Sequence, residues 1–223
     1  MQRCPEPELM SDQAQAVAYS QADFSSGDQV LIEQLKPLLV NRGPRLKIVD
    51  IGCGPGNITL RLAKQWSSAE VIGIDGSAPM LTLARERAEQ QGSVARFLEA
   101  SIQELITTPL PDAIASADVI VSNSVLHHLH DPLQFWRLVA VMGAPGSVVL
   151  HRDLRRPDSE TQLNQLQQQY LPDAPACLID DYRASLRAAF TIDEVQSQLE
   201  VLGLERFSVR EEDDRYLSVI GVI

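Results

Sequence analysis

The sequence predicts an α/β fold: a three-layer sandwich around a mostly parallel, seven-stranded sheet, with an antiparallel strand at the C-terminal end and an N-terminal helical cap. Short and nearly continuous apolar runs recur between residues 46 and 150, as is typical of strands that are buried on both faces of a parallel sheet. The first four runs start at residues 46, 71, 94 and 119. This spacing fits a strand, a helix and two turns, which is the repeat of a βαβ series.

Composition and charge restrict the classes of function. The chain has 223 residues, of which 44% are apolar and 22% charged, as expected for one globular core with an appendage. Its 30 acidic and 19 basic residues give a net charge of −11. A nucleic-acid partner is therefore not expected, because such binding depends on cations that meet phosphates. An anionic membrane surface is disfavoured for the same reason.

The start of the chain and the cysteines indicate the compartment. Residues 1–20 lack the basic start and apolar stretch of a signal peptide, and no run approaches the length of a membrane span. The three cysteines lie far apart, without a Cys-x-x-Cys pair. We expect a cytoplasmic protein with reduced thiols.

The N-terminal region is expected to be helical. A helix over Gln13–Tyr19 is followed by a polar break at Phe24–Asp28 and by a second helix over Val30–Leu39, where leucines and valine recur at helical spacing. We assign residues 1–44 to a helical cap and residues 45–223 to the main domain.

The remaining elements follow in order. Five strands are predicted at Leu46–Ile51, Val71–Ile74, Val94–Leu98, Val119–Val121 and Val148–Leu150. Helices are predicted at Met80–Gln91, Pro132–Met142 and Ile192–Gly203, from helix-forming composition or from capping patterns such as Asp131-Pro132.

Two features complete the predicted domain. The final runs, Arg206–Arg210 and Tyr216–Val222, are separated by a short polar connection that requires an antiparallel pair. Residues 155–190 exceed an ordinary connection, so we interpret them as an inserted lid over one edge of the sheet.

A glycine turn follows the first predicted strand and carries the main functional signal. The sequence from Val49 reads Val-Asp-Ile-Gly-Cys-Gly-Pro-Gly, with glycines at 52, 54 and 56. Glycines permit positive φ and a close approach of ligand to backbone. Asp75 ends the second strand, where a carboxylate suits the paired hydroxyls of a ribose. Together these residues predict a nucleoside site.

The spacing of this turn differs from the dinucleotide fingerprint Gly-x-Gly-x-x-Gly. The acidic Asp50 beside the turn is poorly placed for a pyrophosphate and better placed for an ammonium group. Over residues 45–222 the chain resembles the seven-stranded class I S-adenosylmethionine (SAM)-dependent methyltransferases, and the stretch Val49–Gly56 is similar to their first motif, which wraps the methionine part of SAM.

Four further stretches carry the resemblance. Asp75 with Ser77 and Met80 looks like the second motif, which implies contacts to ribose and adenine; Glu99–Ile102 aligns with the third, where the family usually has Asp and this chain has Ser101. Residues 122–129 resemble the fourth motif, and residues 143–146 are similar to the fifth. With Tyr19 added from the cap, the implied cofactor-binding residues are Tyr19, Asp50, Gly52, Gly54, Gly56, Asp75, Met80, Ser101, Ile102 and Asn123.

The histidines after the fourth strand are the candidate catalytic residues. His127 and His128 could accept a proton at the methyl end of the cofactor, although packing and hydrogen bonding at the start of a helix are the favoured interpretation. We expect no metal, because adjacent histidines diverge around a helix and no further ligand lies at a suitable spacing. Cys53 is interpreted as a small buried filler.

These observations predict a SAM-dependent methyltransferase that forms S-adenosylhomocysteine (SAH) by in-line methyl transfer to a small molecule. Arginines concentrated in and before the insertion, including Arg183 and Arg187, favour an anionic acceptor unless neighbouring aspartates neutralise them. An NAD(P)-dependent oxidoreductase and a non-catalytic SAM-binding regulatory protein are the alternatives. A monomer or a homodimer is expected.

Overall fold

The computed structural model describes residues 1–7, 12–22 and 24–223. Nine α-helices and seven strands form within these residues, and a single 3₁₀ turn covers Leu126–His128. The strands are β1 Lys47–Ile51, β2 Glu70–Asp75, β3 Arg96–Glu99, β4 Ala117–Asn123, β5 Gly143–Leu154, β6 Ser208–Glu211 and β7 Tyr216–Val222. The helices are α1 Gln13–Gln21, α2 Ser25–Leu39, α3 Asn57–Gln65, α4 Ala78–Gln91, α5 Ile102–Thr107, α6 Leu133–Met142, α7 Glu160–Tyr170, α8 Ala176–Ala188 and α9 Ile192–Val201.

The sheet confirms the predicted fold class. Its strand order is β3-β2-β1-β4-β5-β7-β6, and β1 to β5 run parallel. Strand β7 is antiparallel to both of its neighbours, with Leu154 opposite Tyr216. The first residues of β7 therefore reach the edge of the sheet at which the parallel strands end.

Helices cover both faces of the sheet, because successive strand residues point to opposite sides. On one face, Ile48 and Val119 pack with apolar residues of α2 and α3. On the other face, Val49 and Ile120 pack with residues of α5, α6 and α9, including the fully buried Trp136. One core therefore lies between the sheet and the helices on each of its two faces.

The insertion at 155–190 consists of α7 and α8, and it has a small core of its own. Leu163 and Leu166 of α7 pack with Leu186 of α8 and with Leu154 at the end of β5. Tyr170, Tyr182 and Tyr216 contact this cluster as partly buried neighbours. The insertion is thereby attached to the edge of the sheet where β5 ends and β7 begins.

Several predicted boundaries were wrong. Strand β3 begins only at Arg96, because Gly92 ends α4 in a left-handed conformation and Val94 is 77% exposed. The predicted polar break is helical from Ser25 onward, since the Asp28 N–H already bonds to the Phe24 carbonyl.

Two strand predictions were also too short or misplaced. Strand β5 extends beyond the predicted residues at both ends: β7 pairs with residues 148–154, and Gly143 pairs with Ala117 of β4. Strand β6 begins after Phe207, whose N–H closes a turn onto Leu204. No helix within the described ranges is both long and apolar enough to cross a membrane.

Candidate active site

A cleft of about 620 Å³ opens at the carboxyl ends of β1, β2 and β4, where ligands of open α/β sheets bind. Its volume is in the range of small-molecule sites. Helix α1 and the α7–α8 insertion form its other walls. The structure brings the sequence-predicted site residues together here: Tyr19, Asp50, Gly52, Gly54, Asp75, Met80, Ser101, Ile102, Asn123, His127 and His128 all line this cleft.

The glycine turn between β1 and α3 has the conformation for which glycine is needed. Gly52 and Gly54 have φ values of +69° and +51°. A Cβ on Gly52 would lie 2.2 Å from a methyl carbon of Val125, whereas a Cβ on Gly54 would meet nothing within 4 Å. Gly52 thus permits close packing of two loops, and Gly54 exposes its backbone to the open cleft.

Gly56 is the one candidate that does not line the cleft. It has φ +82°, and a Cβ there would lie 3.2 Å from both Ala84 and the Phe97 ring. Its place in the fold is the start of α3, where it permits α4 and β3 to pack closely.

Asp75 ends β2 beside the turn. Its Oδ2 accepts the Gly54 N–H at 2.7 Å and its Oδ1 accepts the Ser77 N–H at 2.8 Å. Burial raises the pKa of Asp75 even though these hydrogen bonds oppose the shift. Each carboxylate oxygen has a second lone pair, so the fixed carboxylate can still accept hydroxyl groups of a ligand.

Asp50 is the second carboxylate of the cleft and is only 1% exposed. Its Oδ2 accepts the Thr59 hydroxyl at 2.6 Å, and the Thr59 backbone N–H also favours its charged form. Burial raises its pKa to about 7, partly offset by the Thr59 hydrogen bond. A cation in the cleft would restore the charged form of this carboxylate.

The predicted adenine side is formed by Met80, which is buried at the start of α4, and by Ser101 and Ile102. Ser101 is the N-cap of α5: its hydroxyl donates to Glu104 Oε2 at 2.9 Å and accepts the Glu104 N–H at 3.2 Å. This capping box already uses the Ser101 side chain. A ligand could still use the second lone pair of the Ser101 hydroxyl oxygen.

The histidines are held by a buried carboxylate that the sequence did not assign to the site. Asp153 in β5 accepts the N–H groups of Val125 and Leu126 at 3.1 and 2.6 Å, and Nδ1 of His127 donates to its Oδ1. Nε2 of His151 lies 3.4 Å from its Oδ2. Burial alone would raise the pKa of Asp153, but the two histidines hold it well below its usual range.

Glu6, from the N-terminal segment, approaches the same histidines from the other side. Its Oε1 lies 3.5 Å from Nε2 of His127 and 3.1 Å from Nδ1 of His128. Burial opposes the charged form of His128, yet the Glu6 carboxylate raises its pKa above the ordinary value. Arg3 anchors this segment by donating to the carbonyls of His127 and Leu129.

Glu6, His127 and His128 bring three possible metal-ligand atoms within 4.8 Å of one another. No sequence pattern indicates this grouping, because Glu6 is remote in sequence from the histidines. An ion pair between the Glu6 carboxylate and protonated His128 accounts for the shorter of the two contacts without a metal. The geometry can hold a cation and does not require one.

The part of the cleft formed by the insertion and β7 contains residues that the sequence did not assign to the site. Tyr170, Tyr182 and Tyr216 line it together with Arg152 and Arg215. In contrast, Arg183 and Arg187 do not line the cleft: Arg183 donates to Asn164, and Arg187 pairs with Glu160 at 2.8 Å. The carboxylate that neutralises Arg187 thus belongs to Glu160 of α7 and not to a neighbouring aspartate.

Sequence comparison connects this site to known proteins. A family model described as "Methyltransferase domain" matches residues 43–205. Trans-aconitate 2-methyltransferase of Rhodopseudomonas palustris (strain BisB5) is 41% identical over 105 residues, which are 47% of this chain and 37% of the relative. The enzyme of the same name from Variovorax paradoxus (strain S110) is 36% identical over 131 residues, 58% of this chain and 46% of the relative. The chain thus matches less than half the length of these curated relatives.

Solved structures share the fold at low sequence identity. A SAM-dependent methyltransferase from Aquifex aeolicus superposes with a TM-score of 0.67 at 20% identity, covering 95% of this chain and 98% of that one. The plantazolicin methyltransferase BpumL, solved with SAH and a monoazolic desmethylPZN analog, gives a TM-score of 0.69 at 15% identity, covering 94% and 88%. This similarity establishes the common architecture.

Proposed function

The chain belongs to the methyltransferase domain family in its seven-stranded class I form, and from this premise we propose that it transfers the methyl group of SAM to a small-molecule acceptor. The observation that carries the proposal is the meeting of Asp50, the open backbone of Gly54 and Asp75 at one end of a single cleft. When bound, SAM supplies a methyl group attached to a sulfonium sulfur. The sulfur leaves as a neutral thioether, so no enzyme nucleophile is required.

The residues of the cleft fit such a cofactor. The Asp75 carboxylate would accept the ribose hydroxyls, and the Asp50 carboxylate would pair with the ammonium group of the methionine part. Met80 and Ile102 would supply apolar walls for adenine, while Asn123 would face the acceptor and Tyr19 in the cap would cover the site. Ser101 and Gly56 would shape the site through the α5 cap and the α3 packing described above.

The histidines would serve the acceptor. His128 is 18% exposed and lines the cleft; in its neutral form it could accept a proton from a hydroxyl or amine acceptor, and the Glu6 carboxylate would stabilise the imidazolium that forms. His127, enclosed between Asp153 and Glu6, would position the turn that carries His128. Much of the acceleration would come from holding the acceptor in line with the methyl group.

The arrangement of domains remains part of the proposal: residues 1–44 form the cap, residues 45–223 the SAM-binding domain, and residues 155–190 the lid. A cytoplasmic location, a monomeric or dimeric state and the absence of a nucleic-acid partner stay predictions from the sequence.

Calorimetry with SAM, SAH, NAD and NADP tests the cofactor. We expect SAM and SAH to bind and the nicotinamide cofactors not to bind; tight NAD(P) binding without SAH binding would refute the proposal. Formation of SAH with a panel of small acceptors then tests catalysis. Binding without turnover on any acceptor would favour the regulatory alternative.

A further inference from the structure

We propose that Arg215 binds a carboxylate of the methyl acceptor, so that the acceptor is a small carboxylic acid. This inference rests on the proposed function and deepens it, because it assigns the acceptor class and the residue that recognises it. The binding site consists of Arg215 with Tyr170, Tyr182 and Tyr216, in the part of the cleft formed by the insertion and β7.

Two aromatic rings hold the Arg215 guanidinium in place. Its Cζ lies 3.4 Å from the centre of the Tyr170 ring and 5.1 Å from that of Tyr216. Stacking fixes the plane of the guanidinium while its N–H groups remain free at the rim of that plane. Tyr170 is itself fixed, since its hydroxyl donates to Asp214 at 2.6 Å.

The charge of Arg215 has no internal partner. In the described part of the chain no carboxylate lies within 4 Å of its side-chain nitrogens, although the protein carries a net charge of −11. Arg152, the other arginine of the cleft, differs in this respect because it pairs with Glu212 at 2.6 Å. Arg215 is thus the cleft arginine whose charge is available to a ligand.

Polar atoms around Arg215 also lack partners. Its Nε and the Tyr182 hydroxyl oxygen are both buried, and neither makes a hydrogen bond to the described residues. Burial raises the pKa of Tyr182 to about 12, so its hydroxyl is protonated at neutral pH and can donate. A buried donor without a partner costs stability, which an anionic ligand would recover.

A carboxylate fits these donors better than a phosphate. A guanidinium fork matches the two oxygens of a planar carboxylate, and one unpaired arginine balances one negative charge. A phosphate group carries up to two charges at one position, and the single unpaired guanidinium would balance only one of them, because Arg152 is already neutralised. An ionised carboxylate can also attack a methyl group directly, since its oxygen has no proton to lose.

The recognition residue belongs to the C-terminal hairpin. Arg215 directly precedes β7, outside the 43–205 segment that matches the family model. The reversed direction of β7 brings this position to the edge of the sheet where the cofactor half of the cleft lies. The residue that we propose for carboxylate recognition therefore lies outside the segment that the family model matches.

Calorimetric titration of the SAH-saturated protein tests the proposal with three probe pairs: succinate, benzoate and trans-aconitate, each against its full methyl ester. We expect at least one acid to bind more tightly than its ester. Arg215→Gln should weaken that acid about ten- to a hundredfold and leave the ester within about twofold, as expected for the loss of a charged hydrogen bond.

Arg210→Gln is the matched control, because Arg210 lies exposed in the same hairpin and does not line the cleft. It should leave acid binding within about twofold, whereas Tyr182→Phe should weaken it severalfold. The proposal is overturned if no acid binds better than its ester, if Arg215→Gln retains wild-type acid affinity, or if Arg210→Gln lowers it equally.

Two measurements separate this inference from the proposed function. Unchanged SAH affinity of Arg215→Gln shows that the variant is folded, and a folded variant with wild-type acid affinity refutes the inference alone. If SAH does not bind the wild type, the proposed function fails, and titration of the acids without SAH still measures the contribution of Arg215.

Discussion

Cofactor affinity should depend on pH through Asp50. This carboxylate has a pKa of about 7 in the free protein because it is buried, so it is largely neutral in mildly acidic solution. Its proposed partner, the ammonium group of SAM or SAH, favours the charged form. Binding must therefore expel the proton below about pH 7, and affinity should rise with pH up to that value and then level off.

The size of the effect follows from the pKa. Each pH unit below about 7 should weaken SAH binding by up to about tenfold, because one proton is released for each ligand bound. Calorimetry at pH 5.5, 6.5, 7.5 and 8.5, in pairs of buffers with different ionisation enthalpies, measures both the affinity and the number of protons released.

Asp50→Asn provides the control, since an amide can still accept the Thr59 hydroxyl but cannot ionise. At pH 8.5 we expect SAH binding about ten- to a hundredfold weaker than in the wild type, with a reduced proton release below pH 7. The remaining pH dependence would reflect the titration of Asp75, whose pKa is also raised by burial. Wild-type affinity that stays constant from pH 5.5 to 7.5, with no proton released, would refute the pairing of Asp50 with an ammonium group.

Three other changes should have distinct effects. Gly52→Ala places a Cβ against Val125 at positive φ and should lower the free energy of unfolding by about 2 to 5 kcal/mol. Gly54→Ala meets no atom and should lower it by only about 1 to 2 kcal/mol, while weakening SAH binding. Equal shifts of the unfolding temperature would contradict this ranking. Asp153→Asn breaks a buried pair with His127 and should destabilise the protein by about 3 to 5 kcal/mol, measured by urea unfolding at pH 7. A variant of wild-type stability would show that the pair does not stabilise the fold. Hydrogen exchange of α1 should slow when SAH is bound. Unchanged exchange would refute the proposal that Tyr19 in the cap covers the site.

The cofactor half of the site could be predicted because its signal is local. Asp50, Gly52 and Gly54 are close in sequence, and a turn after a buried strand fixes their relative positions. Asp75 follows at the end of the next strand, which the parallel pairing of β1 with β2 brings alongside. The spacing of the apolar runs and the residues of the turn were sufficient to predict the positions of these four residues.

The acceptor half could not be predicted, since its residues meet only through tertiary packing. Glu6 reaches His128 across a long separation in sequence, and Arg3 must first anchor the segment that carries it. The cluster of arginines in the insertion suggested Arg183 and Arg187, but composition does not show which arginines are paired. Arg215 stands beside acidic residues in the sequence and lacks an acidic partner in the fold.

The reversal of strand β7 has a consequence for how such an enzyme can change in evolution or in the laboratory. Because β7 runs against the other strands, its first residues and the insertion meet the cofactor cleft without contributing to the glycine turn or to the Asp75 loop. Mutations confined to α7, α8 and the β6–β7 hairpin can alter the part of the cleft that we propose for the acceptor, while the glycine turn and the Asp75 loop stay unchanged. The fold thus separates a region free to diversify from one under constraint, and a library directed at residues 155–216 is where new acceptor specificities should be sought.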